Sequence, residues 1–194
     1  CSSDLPETET EELVEWVLDS MPADKELKVL DLGTGSGVIG ITLALERPKW
    51  QVTLSDISAA ALKIALTNQR LHGTNLNQVE SDLFARLGDQ RFNLIVTNPP
   101  YVALSEIDEM DPEVLEYEPP LALFASENGL AFYRRLFAAA GEHLTPRGVL
   151  FGETGHRQEE RIQRLLKELA PSAKIETRHD IAGRMRMIKV TDFD

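Results

Sequence analysis

Strand-like and helix-like segments alternate along this chain, which predicts an α/β fold with a mostly parallel sheet covered by helices on both faces. Three observations carry the prediction. Short apolar runs suited to buried strands stand at 27–32, 51–55 and 92–97. Segments with apolar residues at helical spacing lie between them. The last two strand-like segments, 174–178 and 185–190, have only 180–184 between them, room for a hairpin, so the final strand is expected to run antiparallel to its neighbour.

The elements follow in order. Thr8-Glu9-Thr10-Glu11 resembles a capping box and opens a helix with Leu13, Val14, Val17 and Leu18 on one face. Residues 27–32 form the first strand, 37–45 a helix and 51–55 the second strand. Ser58 caps a helix running to about His72, where Gly73 ends it in the left-handed conformation. Short strands at 77–80 and 92–97 come next. Residues 102–127 show no periodic segment and read as a lid or binding loop; they hold eight acids (Glu106, Asp108, Glu109, Asp111, Glu113, Glu116, Glu118, Glu127) and no Lys or Arg. A helix at 130–143, a strand at 149–152 and a helix at 158–169 lead to the closing hairpin.

At 194 residues the chain reads as one domain, 1–194. With 42% apolar and 27% charged residues it is globular, and no apolar run approaches the roughly 20 residues of a membrane span. Cys1 is the only cysteine, which excludes an intrachain disulfide and a cysteine-based zinc site and fits a cytoplasmic setting. The first residue is Cys rather than Met, so the sequence is expected to be a fragment with upstream residues removed. The formal charge of −12, with scattered basic residues, argues against a duplex nucleic-acid binder and toward a protein or small-molecule partner.

Two stretches carry chemistry. The first is Asp31-Leu32-Gly33-Thr34-Gly35-Ser36-Gly37, joining the first strand to the first crossover helix. Glycines allow a tight turn and close approach of a ligand to the backbone. Asp56 closes the second strand nineteen residues beyond Gly37, placed to accept from both hydroxyls of a ribose. Asp82, in Ser81-Asp82-Leu83-Phe84, follows the third strand, where its carboxylate can accept from an adenine amino group while Leu83 packs on the ring. Gly35-x-Gly37-x-x-Gly40 also satisfies the dinucleotide fingerprint, which leaves an NAD-dependent oxidoreductase as a rival reading. An acid at the turn disfavours a pyrophosphate and suits a ligand with a cationic amino-acid end, such as S-adenosylmethionine.

The second stretch is Asn98-Pro99-Pro100-Tyr101. Two prolines stop a strand, because each lacks an N–H and fixes φ. Asn98 is thereby held at the C-terminal edge of the sheet, where ligands bind in open α/β folds. Its side-chain oxygen and the carbonyls of Asn98 and Pro99 are rigid acceptors suited to gripping a planar –NH2 group. The same pattern serves any such amine, so an N-methyltransferase acting on an exocyclic amine of DNA or RNA is a second reading. The histidines at 72, 143, 156 and 179 form no metal-spaced pair, and no metal site is expected.

Taken together, these motifs resemble class I S-adenosylmethionine-dependent methyltransferases, and more narrowly the release-factor glutamine methyltransferases. Tyr117-Glu118-Pro119-Pro120-Leu121-Ala122-Leu123 with Asn128-Gly129-Leu130, Glu153-Thr154-Gly155, and Asp180-Ile181-Ala182-Gly183 with Arg186 are similar to further segments of that family. The resemblance implies a Rossmann-like three-layer sandwich whose seven-stranded, mostly parallel sheet ends in an antiparallel strand. It implies transfer of a methyl group from S-adenosylmethionine, released as S-adenosylhomocysteine, to a glutamine amide of a peptide chain release factor, in the cytoplasm, with no membrane or direct nucleic-acid partner. Asn98, Pro99 and Tyr101 are then the catalytic positions, and Pro100 joins them in binding substrate. Asp31, Gly33, Thr34, Gly35, Ser36, Gly37, Asp56, Asp82, Leu83 and Asn98 bind the donor. Three departures stand out. The family's small helical substrate-docking domain is expected to be missing from this sequence, Glu7-Thr8 stand where the family has Arg-Pro, and Leu83 stands where it often has Trp.

Overall fold

The structure is a computed structural model that describes residues 8–99, 130–155, 158–179 and 183–193. Its elements are α1 (Thr8–Ser20), β1 (Lys28–Leu32), α2 (Val38–Glu46), β2 (Gln51–Asp56), α3 (Ala59–Leu71), β3 (Asn77–Glu80), β4 (Phe92–Thr97), α4 (Ala131–His143), β5 (Leu144–Glu153), α5 (Glu159–Leu169), β6 (Lys174–His179) and β7 (Met185–Thr191). Seven strands form one sheet in the order β3-β2-β1-β4-β5-β7-β6. The β1–β2, β1–β4, β2–β3 and β4–β5 pairs are parallel, and β7 is antiparallel to both β5 and β6. This is the seven-stranded sheet that the sequence resemblance implied.

Successive strand residues face opposite sides, so each strand feeds two cores. Val29, Leu94, Val96, Phe151 and Met187 face one side and pack with Leu13, Val14 and Val17 of α1, Ile39 and Leu43 of α2, and Ala65 of α3. Leu30, Leu32, Ile95, Leu150 and Ile188 face the other and pack with Tyr133, Leu136 and Phe137 of α4 and Ile162, Leu165 and Leu166 of α5. Three layers result. Both sides of the central strands are buried, which is why they read as apolar runs without alternation.

Local chemistry sets the helix ends. Ser58 Oγ accepts from the Ala61 N–H at the start of α3, and Gly73 follows the helix with φ +68°. The strand expected at 149–152 is longer, Leu144–Glu153; its first half pairs irregularly, with a register shift between Phe92 and Leu94 of β4. Pro146 and Gly148 in that half hide it from a sequence pattern. Among the described residues no helix is long and apolar enough to cross a membrane.

The sheet order makes the C-terminal ends of β1, β2 and β4 neighbours. The crossovers to either side diverge there, so this edge is the crevice in which an open α/β sheet receives ligands. The glycine turn and Asn98 both emerge at it.

Candidate active site

The turn after β1 is fixed from three directions. Gly33 and Thr34 donate their N–H groups to the Ser55 carbonyl of β2, at 2.8 and 2.9 Å. Gly35 N donates to Asp56 Oδ2 at 2.9 Å, and the other Asp56 oxygen accepts from Ser58 N at 2.8 Å. Asn68, on α3, donates its amide to the Ser36 carbonyl at 2.9 Å. Gly33, Gly35 and Gly37 have φ of 71°, 55° and 85°. Nothing lies within 4 Å of where a Cβ on Gly33 or Gly35 would stand, so the turn presents bare backbone to open space. Gly33 and Ser36 are exposed, Gly35 is half-buried, and Thr34 and Gly37 are buried.

Asp31, expected from the sequence to bind the donor, stands one layer behind this surface. It is fully buried. Its Oδ2 accepts from Thr34 Oγ1 at 2.5 Å and from Gly40 N at 2.8 Å, tying the turn to α2. Its Oδ1 has no hydrogen-bond partner. Burial pushes the carboxyl up from 3.8 to about 6; the bonds from Thr34 and Gly40 oppose the rise, and the nearby Asp56 charge adds to it. Gly40 is the position that makes the contact possible, since a Cβ there would stand 2.2 Å from Leu54 Cδ2 and 2.9 Å from Asp31 Oδ2.

Asn98 follows β4 directly. The preceding residue, Thr97, is buried and donates Oγ1–H to the Leu32 carbonyl at 2.7 Å, which locks the end of β4 to the start of the glycine turn. Asn98 is half-buried and Pro99 buried. Asn98 Nδ2 donates to Thr10 Oγ1 on α1 at 3.2 Å, and Thr10 Oγ1 donates in turn to Glu153 Oε2 at 3.5 Å. Glu153 ends β5, and its carbonyl accepts from the Tyr133 hydroxyl on α4. Thr10 and Glu153 were not among the site residues read from the sequence. No local motif marks the contact, which joins positions 88 and 143 apart.

Asp82 lies beyond β3, exposed, with Oδ2 held by Arg135 of α4 at 2.8 Å. Leu83 adopts φ 49° and packs, half-buried, against the apolar cluster beneath α4. Ile57, directly after Asp56, is 67% exposed at the same sheet edge and offers an apolar surface that the sequence reading did not single out. Pro100, Tyr101, the 102–127 segment, His156 and Asp180-Ile181-Ala182 lie outside the described residues. His72 caps α3, His143 stacks on Phe84 at 4.3 Å, and His179 lies 3.7 Å from Glu159. Among the described residues no three His, Cys, Asp or Glu converge as metal ligands.

The crevice therefore combines bare glycine backbone, a half-buried carboxylate at Asp56, an exposed apolar side chain at Ile57 and a buried negative charge behind the turn. Residues 31–37 carry no Lys or Arg to neutralise a pyrophosphate. This set fits an adenosyl group joined to a cationic amino-acid chain better than a dinucleotide.

Comparison with known proteins agrees. Residues 12–116 match the methyltransferase small domain family. A release factor glutamine methyltransferase of Lactococcus lactis subsp. lactis is 44% identical over 186 residues, covering 96% of this chain and 68% of that protein. One from Leptospira interrogans is 43% identical over 193 residues, covering 96% of this chain and 66% of that protein. The chain thus spans about two thirds of the length of these relatives. Among solved structures, the ribosomal protein L11 methylase of Lactobacillus delbrueckii subsp. bulgaricus superimposes with a TM-score of 0.70 at 23% identity, over 97% of this chain and 81% of that one. The 16S rRNA N2 G1207 methyltransferase of T. thermophilus, in complex with AdoMet and guanosine, gives 0.69 at 20% identity, over 98% of this chain and 44% of that one. At such identities these two structures speak for the fold, while the sequence relatives at about 40% speak for the family. The chain belongs to the release factor glutamine methyltransferases.

Proposed function

We infer that this chain methylates the side-chain amide nitrogen of a glutamine in a peptide chain release factor, with S-adenosylmethionine as donor. The observation that carries the reading is the position of Asn98. It is locked beside the glycine turn by the Thr97–Leu32 bond, with its amide nitrogen already engaged by Thr10. That leaves Oδ1 as the group offered to a ligand.

The glycine turn and Asp56 hold the donor, with Asp56 on the ribose, Ile57 and Leu83 beside the adenine and Asp82 at its amino group. Asp31 shapes the turn and lends negative potential to its face. When bound, the donor supplies a methyl group on a cationic sulfur, which leaves as a neutral thioether. An amide nitrogen is a poor nucleophile because its lone pair is delocalised, so the protein's work is orientation. Asn98 Oδ1 and the Pro99 carbonyl each accept one N–H of the target amide, holding its nitrogen toward the methyl and stabilising the positive charge that develops there. Fixing such a near-attack geometry is worth about 7–11 kcal/mol at its well-oriented limit. Tyr101 packs on the flat face of the amide. The proton leaves to solvent.

A cytoplasmic location and a protein rather than nucleic-acid substrate belong to the same proposal; the acidic balance of the chain supports the second. The test is mass spectrometry of release factors after incubation with the chain and donor. A gain of about 14 daltons on one glutamine, the mass of an added CH2 unit, is expected, and it is lost in Asn98→Ala while S-adenosylhomocysteine binding stays largely intact. Methyl transfer to nucleic acid in place of release factor, or near wild-type turnover in Asn98→Ala, would overturn the reading.

A further inference from the structure

The function proposed above needs the Asn98 amide to face one way. Its oxygen must point at the target –NH2, because the reversed amide would set a donor against a donor. Nothing in an Asn side chain alone enforces that choice, since its two ends are nearly isosteric. The contacts around Asn98 do enforce it.

We propose that Thr10 is a positioning residue, and that Glu153 and Thr10 together set the orientation of the Asn98 amide. Thr10 Oγ1 has a single proton, and it goes to Glu153 Oε2. A carboxylate only accepts, so the hydroxyl cannot reverse while Glu153 is ionised. Toward Asn98 the hydroxyl then has only lone pairs, and the Asn98 Nδ2–H group meets them at 3.2 Å. The amide oxygen is thereby turned to the other side. Polarity is passed from a carboxylate to a hydroxyl to an amide, and the end of the chain is the acceptor that the substrate requires.

The setting is suited to this. Thr10 is 7% exposed, and Glu153 is fully buried at the end of β5, adjacent to β4. Water therefore competes little for either group, so the long Thr10–Glu153 contact, 3.5 Å, has no solvent rival for the hydroxyl proton. Each member sits on a different, well-anchored element. Leu13 and Val17, fully buried, fix the first turns of α1 to the sheet. The Tyr133 hydroxyl fixes the Glu153 backbone, and the Thr97–Leu32 bond fixes the strand end that carries Asn98. Helix α1 thus takes part in the chemistry through one hydroxyl, although its other buried residues serve packing.

This inference rests on the proposed methyl transfer, and the experiment separates the two. Thr10→Val, Thr10→Ser and Glu153→Gln are prepared in the full chain. Thr10→Val keeps the shape of the side chain and removes the hydroxyl. Glu153→Gln lets an amide donate to Thr10, which frees the hydroxyl proton to bind Asn98 Oδ1 and reverse its amide. With release factor as substrate, Thr10→Val and Glu153→Gln are expected to lower kcat about 100-fold, the size associated with misplacing a reacting group. Affinity for S-adenosylhomocysteine and KM for donor stay unchanged, and Thr10→Ser returns kcat to within about threefold of wild type. The independent readout is the 15N-resolved side-chain amide of Asn98. One Nδ2 proton is expected to be shifted and protected from exchange in the wild type and in Thr10→Ser, and averaged in Thr10→Val. Wild-type kcat in Thr10→Val, a Thr10→Ser as slow as Thr10→Val, or an Asn98 amide signal indifferent to Thr10 would each overturn the proposal. If the wild-type chain itself transfers no methyl to release factor, the functional reading falls and the amide resonances still decide the orientation.

Discussion

Asp31 Oδ2 accepts the backbone N–H of Gly40 at 2.8 Å, so the end of β1 is tied directly to the first turn of α2. The contact requires a carboxylate with no exposure to water and one oxygen unpartnered. A binding turn held by a buried charge is a trade between rigidity and stability, and the trade has a pH signature. The folded protein holds the Asp31 proton up to about pH 6, the unfolded chain only to 3.8. Below the lower value both states are protonated and the group is neutral in the balance. As pH rises between the two, the unfolded chain loses its proton first, so folding stability falls. By pH 7 the loss amounts to about 3 kcal/mol. Asp31→Asn keeps an acceptor for Thr34 and Gly40 and removes the charge. Denaturant titrations from pH 3.5 to 7.5 should show a flatter profile for this variant between pH 4 and 6, with its gain greatest at neutral pH. The same downward slope in both proteins would show that Asp31 is not its source.

Gly40→Ala tests the same contact by shape. The added methyl group meets Leu54 Cδ2 and the Asp31 carboxylate, both in the packed interior, so α2 must shift away from β1. Overpacking of this kind costs about 1–3 kcal/mol. Because the shift lifts the Asp31 brace from the turn, donor affinity should fall along with stability. Thermal unfolding with and without S-adenosylhomocysteine measures both; a lower Tm with an undiminished ligand shift would place the turn outside the influence of α2.

Asp56 joins the glycine turn, through Gly35 N, to the N-cap of α3, through Ser58 N. Each oxygen retains a lone pair for a ribose hydroxyl. Asp56→Ala removes those acceptors and frees the Gly35 N–H. A hydrogen bond to a charged group contributes about 1.5–3 kcal/mol, so the loss of even one should raise the Kd for S-adenosylhomocysteine about 10- to 100-fold. Isothermal titration reads the change, and an unaltered Kd would remove Asp56 from the donor site.

The parts of this site that could be read from the sequence are those that a strand and its following turn define locally. The positive φ angles at Gly33, Gly35 and Gly37 and the cap at Ser58 are local consequences of residue type. The buried strands announced themselves as apolar runs because both faces of the sheet are covered. What stayed hidden depended on packing between distant segments. Thr10 lies in a stretch that reads as a capping box, yet its hydroxyl is used 88 residues away, at Asn98. Asp31 read as a donor-binding acid beside the glycine turn, and only its burial beneath α2 shows that it also braces that turn. The early half of β5 was lost to Pro146 and Gly148, which break the pattern and, between Leu144 and Val149, interrupt the regular pairing with β4 as well.

Arg135 supplies the last prediction. Its guanidinium lies 2.8 Å from Asp82 Oδ2, across a gap of 53 residues, with both side chains about half exposed. An exposed pair of this kind contributes at most about 1 kcal/mol to folding, so Arg135→Ala should leave Tm nearly unchanged. Its effect belongs to recognition. With one carboxylate oxygen engaged by Arg135, the carboxylate is held in one orientation; on the proposed function, its second oxygen is the one that would accept from the adenine amino group. Freed from Arg135, Asp82 samples several rotamers and the acceptor is no longer preset. The variant should therefore bind S-adenosylhomocysteine more weakly. Its preference over the inosyl analogue, which lacks the amino group, should shrink by a similar factor. Competition titrations with the two ligands separate this from a general loss of affinity. Equal weakening toward both would mean that Arg135 supports the pocket wall and that Asp82 does not read the adenine.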